Sequence, residues 1–531
     1  MDNYNFKKLL LPFLGAAAFC LAGSAEKLVI LHTNDTHSSI EPFADGTSGI
    51  LQRKAILDSV RKVEKNVITV DAGDVVQGSL YFKYFNGDVE YPLMNMSGYD
   101  IRILGNHEFD NGMESLANYY KKVEGEALSA NYDFSGTTLD GIFKPFTIKE
   151  IDGRKIGFIG ANIDPASIIS TKNIDVNFKE VIPTINQWAS YLKNEEKCDL
   201  VVVVSHIGYE KINDKTTDVE LAQSSENIDL IIGGHTHTLI DPQHPEINSS
   251  LINNSKGQPV RVVQAGKYGK YIGKLTIDLD NLPLAGGEQI DYELIPVTNR
   301  FSPDQLDARM IEFIKPYQEA VDSVNNVIIA YCSQDLKKER TGGLPNLTAD
   351  ITFQYGREVV DSLRKEGIDL PNVDLSIMNV GGIRLDMPKG KITEGQILST
   401  YPFTNLFMLI SIKGKDIIEA MRVSALKGGE AISSNMRVIT DKDGNLKKVI
   451  IDGKEMDPDK EYVVATIDYI AEGNDDLVSM ANHKKLFVSD DEISVPILHW
   501  IKTQNALGLE IDPDMRPRFV IDIADVSTEN N

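Results

Sequence analysis

The sequence is short of cysteine, of positive charge and of apolar runs long enough to cross a bilayer, and each shortage removes a class of function. It holds three cysteines in 531 residues. Cys20 lies in the N-terminal segment, which leaves Cys198 and Cys332, assigned to different domains and not expected to pair. Cys198 precedes an apolar run and reads as a small buried hydrophobe. No disulfide framework and no thiolate metal site can be built from these, so stability must come from apolar cores. Lysine and arginine total 54 against 78 aspartates and glutamates, a formal net charge of -24. Such a balance repels polyanions and argues against coating DNA or RNA. Small phosphate compounds remain open, because bound cations reverse the field locally. Nothing in the sequence points to an obligate protein partner, and only a short tail (526–531) is set apart at the C-terminus.

The marked apolar run, residues 9–21, follows Lys7 and Lys8 and precedes Ala22, Gly23, Ser24 and Ala25. That order is the one of a secretory signal, and the run is too short for a membrane span. Cleavage after Ala25 and export to the periplasm or the medium are expected. Acylation of Cys20 is the alternative, for which Phe19 is a poor neighbour. No later segment is apolar enough to span a bilayer.

A chain of 531 residues exceeds one compact core, so two or three domains are expected. Residues 26–296 contain short β-branched runs at 28–32 (LVILH), 66–71 (NVITVD), 155–160 (KIGFIG), 200–205 (LVVVVS) and 229–233 (DLIIG). Continuous apolar runs bounded by Gly or Asp suit strands buried on both faces. Residues 261–280 read as an antiparallel pair of strands turning near 267–271. Residues 301–324 carry Leu306, Met310, Phe313, Ile314 and Tyr317 at helical spacing. They open with Ser302, Pro303 and Asp304, a helix-start signature, so 297–326 is read as a linking helix. From 327 to 525 a second α/β unit follows, with strands near 375–378, 407–412 and 462–465.

Five segments carry the candidate chemistry: 34–37 (NDTH), 71–74 (DAGD), 105–110 (GNHEFD), 205–206 (SH) and 233–237 (GGHTH). Each follows an apolar run, so each is expected at the carboxyl edge of the sheet, where sites form. Taken singly they have plain readings. Asp35 suits a turn, His206 after four valines suits a core, His107 suits an exposed loop, and the glycines before His235 suit a tight turn. Taken together they do not: six of the nine histidines (His32, His37, His107, His206, His235, His237) lie at strand ends of this half, five of them inside the segments. His32 reads as an in-strand neighbour. Hydrolysis of a phosphate ester needs a nucleophilic oxygen at neutral pH and compensation for phosphate charge. Two divalent cations about 3.5–4 Å apart supply both, given a carboxylate able to touch each. Asp74 is the candidate for that carboxylate, and imidazole with amide oxygen suits zinc, manganese or iron.

The ordered set of DxH, GDxxxGS, GNHEFD, SHIG and GGHTH resembles the calcineurin-like metallophosphoesterases, and within them the secreted 5'-nucleotidases. The resemblance implies an α/β (α+β) chain: a four-layer β-sandwich flanked by helices, joined by a helix to a mixed α/β substrate domain. It implies one metal held by Asp35, His37, Asp74 and His237, and another by Asp74, Asn106, His206 and His235. It further implies that His107 serves the phosphate and the leaving oxygen, with Asp110 orienting it. Ser38 stands where many relatives have glycine.

In the second half, a glycine-rich turn runs from Asn379 to Arg384 (NVGGIR), and Tyr401, Phe403 and Tyr469 offer aromatic faces. Alone these suit a structural turn and core packing. The resemblance, which spans nearly the whole mature chain, implies that Phe403 and Tyr469 sandwich a base and that Asp475 binds ribose. It also gives Asn379, Arg384 and Arg340 to base or phosphates. Here the family's GGGIR is VGGIR and its GGDGF is GNDDL, which stiffens that loop and adds the charge of Asp476. The implied activity is hydrolysis of nucleoside 5'-monophosphates, with motion of one domain about the helix. Cleavage of UDP-sugars, dinucleotides or 2',3'-cyclic phosphodiesters is the nearest alternative. A non-catalytic nucleotide-binding protein would be expected to have lost ligands or the His107–Asp110 pair, and all are present.

Overall fold

The computed structural model describes residues 26–43, 45–165, 174, 176–211, 215–340 and 343–522. The signal segment, Cys20 and the tail lie outside the described residues.

Two six-stranded sheets build the first half. One runs in the order Asp291–Pro296, Tyr271–Asp278, Lys27–Thr33, Asn66–Asp71, Ile101–Ile103, Glu126–Leu128. The other runs Leu251–Asn253, Pro259–Val263, Leu230–Ile232, Leu200–His206, Arg154–Asn162, Phe146–Ile151. Central pairs are parallel and antiparallel pairs lie towards the edges. Alternation along Lys27–Thr33 explains the packing. Leu28 and Ile30 face the other sheet and meet Phe158, Val202 and Leu230 in one core. Val29 and Leu31 face outward onto Ile56 and Leu57 of helix Ile50–Val63. On the far side, Val201 and Val203 pack on Ile185 and Ala189 of helix Val181–Asn194. Helix, sheet, sheet and helix make four layers, and strands buried on both faces are why these segments read as continuous apolar runs.

The strand pair expected over 261–280 is not a hairpin. Pro259–Val263 pairs with Leu230–Ile232 in one sheet, while Tyr271–Asp278 pairs with Lys27–Thr33 in the other. The segment between crosses from sheet to sheet. Apolar alternation gives each strand but not its partner.

The linking helix is Ala308–Asn325, later than its first start signal. Ser302 and Gln305 form a capping box on a short 3-10 turn, and Asp307 is the N-cap, accepting from the Arg309 N–H at 2.9 Å. Leu306 therefore lies before the helix. Met310, Ile314 and Val321 face inward, against Ile40, Leu80 and Leu93 of the first half and Leu398 of the second. Each such side chain contributes about 1.5–3 kcal/mol, so the helix is bonded to both halves.

The second half is built on a five-stranded sheet, ordered Ala431–Ile432, Leu375–Met378, Glu461–Ile467, Leu406–Lys413, Lys484–Glu492. Helix Gly343–Lys365 lies across it; a side chain at Gly356 would meet Ala465 Cβ at 2.9 Å. A four-stranded sheet flanks it, in the order Lys454–Glu455, Leu446–Ile451, Met436–Thr440, Phe519–Ile521. Cys198 and Cys332 are buried and unpaired. Among the described residues no helix is long and apolar enough to cross a membrane.

Candidate active site

The turns that end the first-half strands share a backbone conformation. Asp35, His37, Ser38, Asp74, His235 and His237 all have positive φ, between 45° and 74°. A side-chain-bearing residue in this region costs roughly 1–2 kcal/mol, and such strain collects at functional sites. Glycines let the turns meet. A Cβ at Gly73 would lie 2.5 Å from the Gly105 nitrogen, and one at Gly105 would lie 2.2 Å from Asp74 Oδ1.

The result is a buried cluster. Asp35, His37 and His237 offer donor atoms within 4.8 Å of one another, as do Asp74, His206 and His235, and also His37, Asp74 and His107. His37 and His237 face each other Nε2 to Nε2 at 3.0 Å, and Asn106 Oδ1 faces His235 Nδ1 at 2.9 Å. Asp74 Oδ2 lies 3.2 Å from His206 Nε2 and 4.0 Å from His37 Nε2, between the two groups. The structure thus brings Asp35, His37, Asp74, Asn106, His206, His235 and His237 into one place.

These residues fit divalent cations. Burial lowers the basicity of His37, His235 and His237, His235 to about 3, so their imidazoles are neutral. One of the facing imidazoles can donate to the other at 3.0 Å, but His37 Nδ1 and His206 Nε2 are buried without a hydrogen-bond partner. Burial, with a smaller push from the Asp74 charge, raises Asp35 to about 7. At His206 the lowering effect of burial is outweighed by Asp74 and Asp35, which push it up to about 10. The pocket favours positive charge among its donors, and mixed imidazole and carboxylate donors are those of borderline cations.

Neighbours orient this set. His206 Nδ1 donates to the Ala72 carbonyl at 2.7 Å, which turns Nε2 inward. The Tyr268 N–H donates to the Asp35 carbonyl at 2.7 Å. Glu108 was not singled out from the sequence. Its buried carboxylate accepts the N–H groups of Asp74 at 3.1 Å, Val75 at 2.8 Å and Gly105 at 2.5 Å, tying two donor loops together. Its one signal is a carboxylate beside His107 in a loop that must be buried.

His107 stands at the rim. Its Nδ1 donates to Asp110 Oδ2 at 2.9 Å. Although burial opposes it, Asp110 and Asp74 raise the imidazole above its ordinary value. Its ring lies 5.4 Å from that of His37 and 5.9 Å from that of Phe403, which belongs to the second half.

Beyond Phe403, the Arg384 guanidinium lies over the ring at 5.6 Å, with Nε and Nη2 buried and without a hydrogen-bond partner. Asp475 accepts from Asn379 Nδ2 at 2.9 Å and from the Tyr469 hydroxyl at 3.2 Å, so these three form one group. Tyr401 is core: it is buried and its hydroxyl meets Thr348 Oγ1 at 2.7 Å. Arg340 is engaged with Glu430 at 2.6 Å, whose other oxygen accepts the Val380 N–H at 2.6 Å, so it braces the VGGIR turn. Asp476 is paired with Lys427 at 2.5 Å. Asp475 and Asp476 both take positive φ, 55° and 60°, and Asp476 stands where GGDGF has its last glycine.

Residues 28–239 match the calcineurin-like phosphoesterase family, and residues 323–483 match the 5'-nucleotidase C-terminal domain. A 5'-nucleotidase of Vibrio cholerae is 27% identical over 498 residues, covering 87% of this chain and 88% of its own length. The solved structure of a 5'-nucleotidase precursor from Thermus thermophilus is 27% identical, with a TM-score of 0.78 over 93% of this chain and 99% of that one. A trifunctional nucleotide phosphoesterase of Bacillus subtilis is 27% identical over 426 residues, but the chain spans only 27% of that relative's length. The donor cluster falls within the first family match and the group around Asp475 within the second, and the chain belongs to the 5'-nucleotidase family of metallophosphoesterases.

Proposed function

We propose that the protein hydrolyses nucleoside 5'-monophosphates to nucleoside and phosphate, in the periplasm or the medium. The observation that carries this is the facing of His107 and Phe403 at 5.9 Å. A cluster suited to phosphate-ester chemistry and a group suited to a nucleoside meet at one junction.

Asp35, His37, Asp74 and His237 would hold one divalent cation, and Asp74, Asn106, His206 and His235 a second, zinc or manganese by donor type. Cations held there would supply a lower pKa for a water and neutralisation of phosphoryl charge. His107 holds a proton, its Nδ1 fixed by Asp110, so that Nε2 can protonate the 5' oxygen as the P–O bond breaks. Arg384, with donors free, binds the non-bridging phosphoryl oxygens. Phe403 and Tyr469 give aromatic faces to the base. Asp475 accepts ribose hydroxyls from a position held by Asn379 and Tyr469.

A hydrolysis panel on the mature chain, read by chromatography of the products together with released phosphate, tests this with nucleoside monophosphates, a UDP-sugar, a dinucleotide and a 2',3'-cyclic nucleotide. Monophosphates should be cleaved fastest, and chelation should abolish release. Activity that survives thorough chelation, or none with any divalent cation, overturns the proposal.

A further inference from the structure

A lysine half-buried beside a cation site needs an explanation, since both desolvation and repulsion work against it. Lys267 lies in the segment that crosses between the two sheets, directly before Tyr268. The Tyr268 ring stands 5.8 Å from that of His37, and the Lys267 ammonium sits 5.0 Å from the centre of the Tyr268 ring. Two further cations approach from the second half. Arg384 lies over Phe403, with two of its nitrogens unpartnered. The Lys338 ammonium donates to the Arg384 carbonyl at 3.0 Å. Among the described residues, none of these three cations has a carboxylate side chain as its partner.

They also act on one another. Burial first, then the charges of Lys338 and Arg384, push the Lys267 ammonium down to about 8, and Lys267 in turn weighs on His237. In a chain with 78 acidic residues against 54 basic ones, pairing three cations would be easy. Their gathering at this spot from both halves is the arrangement of a site whose anion is not part of the chain.

We propose that Lys267 contacts the substrate: with Arg384 and Lys338 it forms an anion subsite across the junction, which selects a doubly charged phosphoryl group. The inference rests on the proposed phosphomonoesterase activity and deepens it. A terminal phosphoryl group presents about two negative charges at neutral pH, whereas a diester presents one. Each added cation therefore favours monoesters over diesters, and holds the phosphate product in the same way. The alternative role for Lys267 is to cover the face of Tyr268 with its stem and charge.

Lys267→Met and Lys267→Arg would be compared with the unaltered chain, loaded with manganese and matched for thermal stability. The measurements are phosphate binding by calorimetry, KM and kcat for a nucleoside monophosphate, and hydrolysis of bis(p-nitrophenyl) phosphate. Lys267→Met should weaken phosphate binding and raise the monoester KM by about tenfold or more, the scale of a lost charge-assisted contact. The monoester kcat should change by less than about threefold and the diester rate little, and Lys267→Arg should restore most of the loss. Unchanged phosphate binding and KM in Lys267→Met, or equal losses on monoester and diester, overturn the assignment. Failure of the unaltered chain to cleave any nucleotide would instead overturn the proposed activity, and phosphate calorimetry would still report on the subsite.

Discussion

The two halves of the site are organised by opposite means. In the phosphoesterase half, the main chain does the positioning: left-handed turns at Asp35, His37, Asp74, His235 and His237 aim the donors, and Glu108 binds two of the loops together. Its donors converge in a buried cluster that leaves His37 Nδ1 and His206 Nε2 without hydrogen-bond partners. In the second half, side chains position side chains. Asp475 is held by Asn379 and Tyr469, Arg340 by Glu430, and Asp476 by Lys427. Arg384 Nε and Nη2 and Asn379 Oδ1 excepted, the buried polar groups named there find partners within that half, which should tolerate change better. A rigid, charge-demanding centre is thus coupled to an adaptable binding face, which separates the reaction from the choice of substrate.

The contrast is most directly broken at Asp74. Asp74→Asn should remove the shared carboxylate, lower bound metal by elemental analysis to well under one equivalent, and reduce activity by about four orders of magnitude or more. Retention of two equivalents would mean that the centre does not depend on Asp74. Next in size, His107→Ala should reduce kcat by roughly two to four orders of magnitude with metal content unchanged. Metal loss in that variant would make His107 part of the donor set instead. In the adaptable half, Phe403→Ala combined with Tyr469→Ala should raise KM for nucleotides by about ten- to a hundredfold. A small chromogenic phosphate ester should be spared; equal losses on both substrates would refute base stacking.

The smallest effect concerns pH and sits behind the centre. Burial raises Glu90 to about 7, and it accepts a hydrogen bond from Ser38, next to His37. The folded state therefore binds this proton more tightly than the unfolded chain, whose glutamate titrates near about 4.3. The stabilisation is complete below that value and is lost as pH rises through about 7. Glu90→Gln should flatten the fall in Tm of the metal-free protein between about pH 5 and pH 8 by a few degrees. Parallel curves for the two proteins would show that Glu90 is not the titrating group.

Much of the centre was legible because each motif follows a strand, so one rule about strand ends predicts that the five segments converge. Glu108 escaped because its work is done on backbone N–H groups, which leave no trace in residue type. The misread stretch 261–280 has a related cause. Period-two apolar patterning is identical for strands that pair and for strands that enter separate sheets. In consequence the crossing segment with Lys267 reads from sequence as the turn of a strand pair. The helix start was misplaced because Ser302 and Asp307 are both good caps, and only packing on the two halves decides between them. In the second half the sequence supplied Arg340 and Asp476 as charges, but not the partners, Glu430 and Lys427, that neutralise them.

The meeting of Gly73 with Gly105 has a consequence for altering this protein. With 2.5 Å between a hypothetical Cβ and the neighbouring nitrogen, the loops bearing Asp74 and Asn106 cannot be spread or tightened by substitutions at those two points. The inter-donor spacing is a property of the polypeptide track itself. A changed preference among cations would have to be introduced by swapping donor atoms, for example imidazole for carboxylate, while the distances are inherited intact.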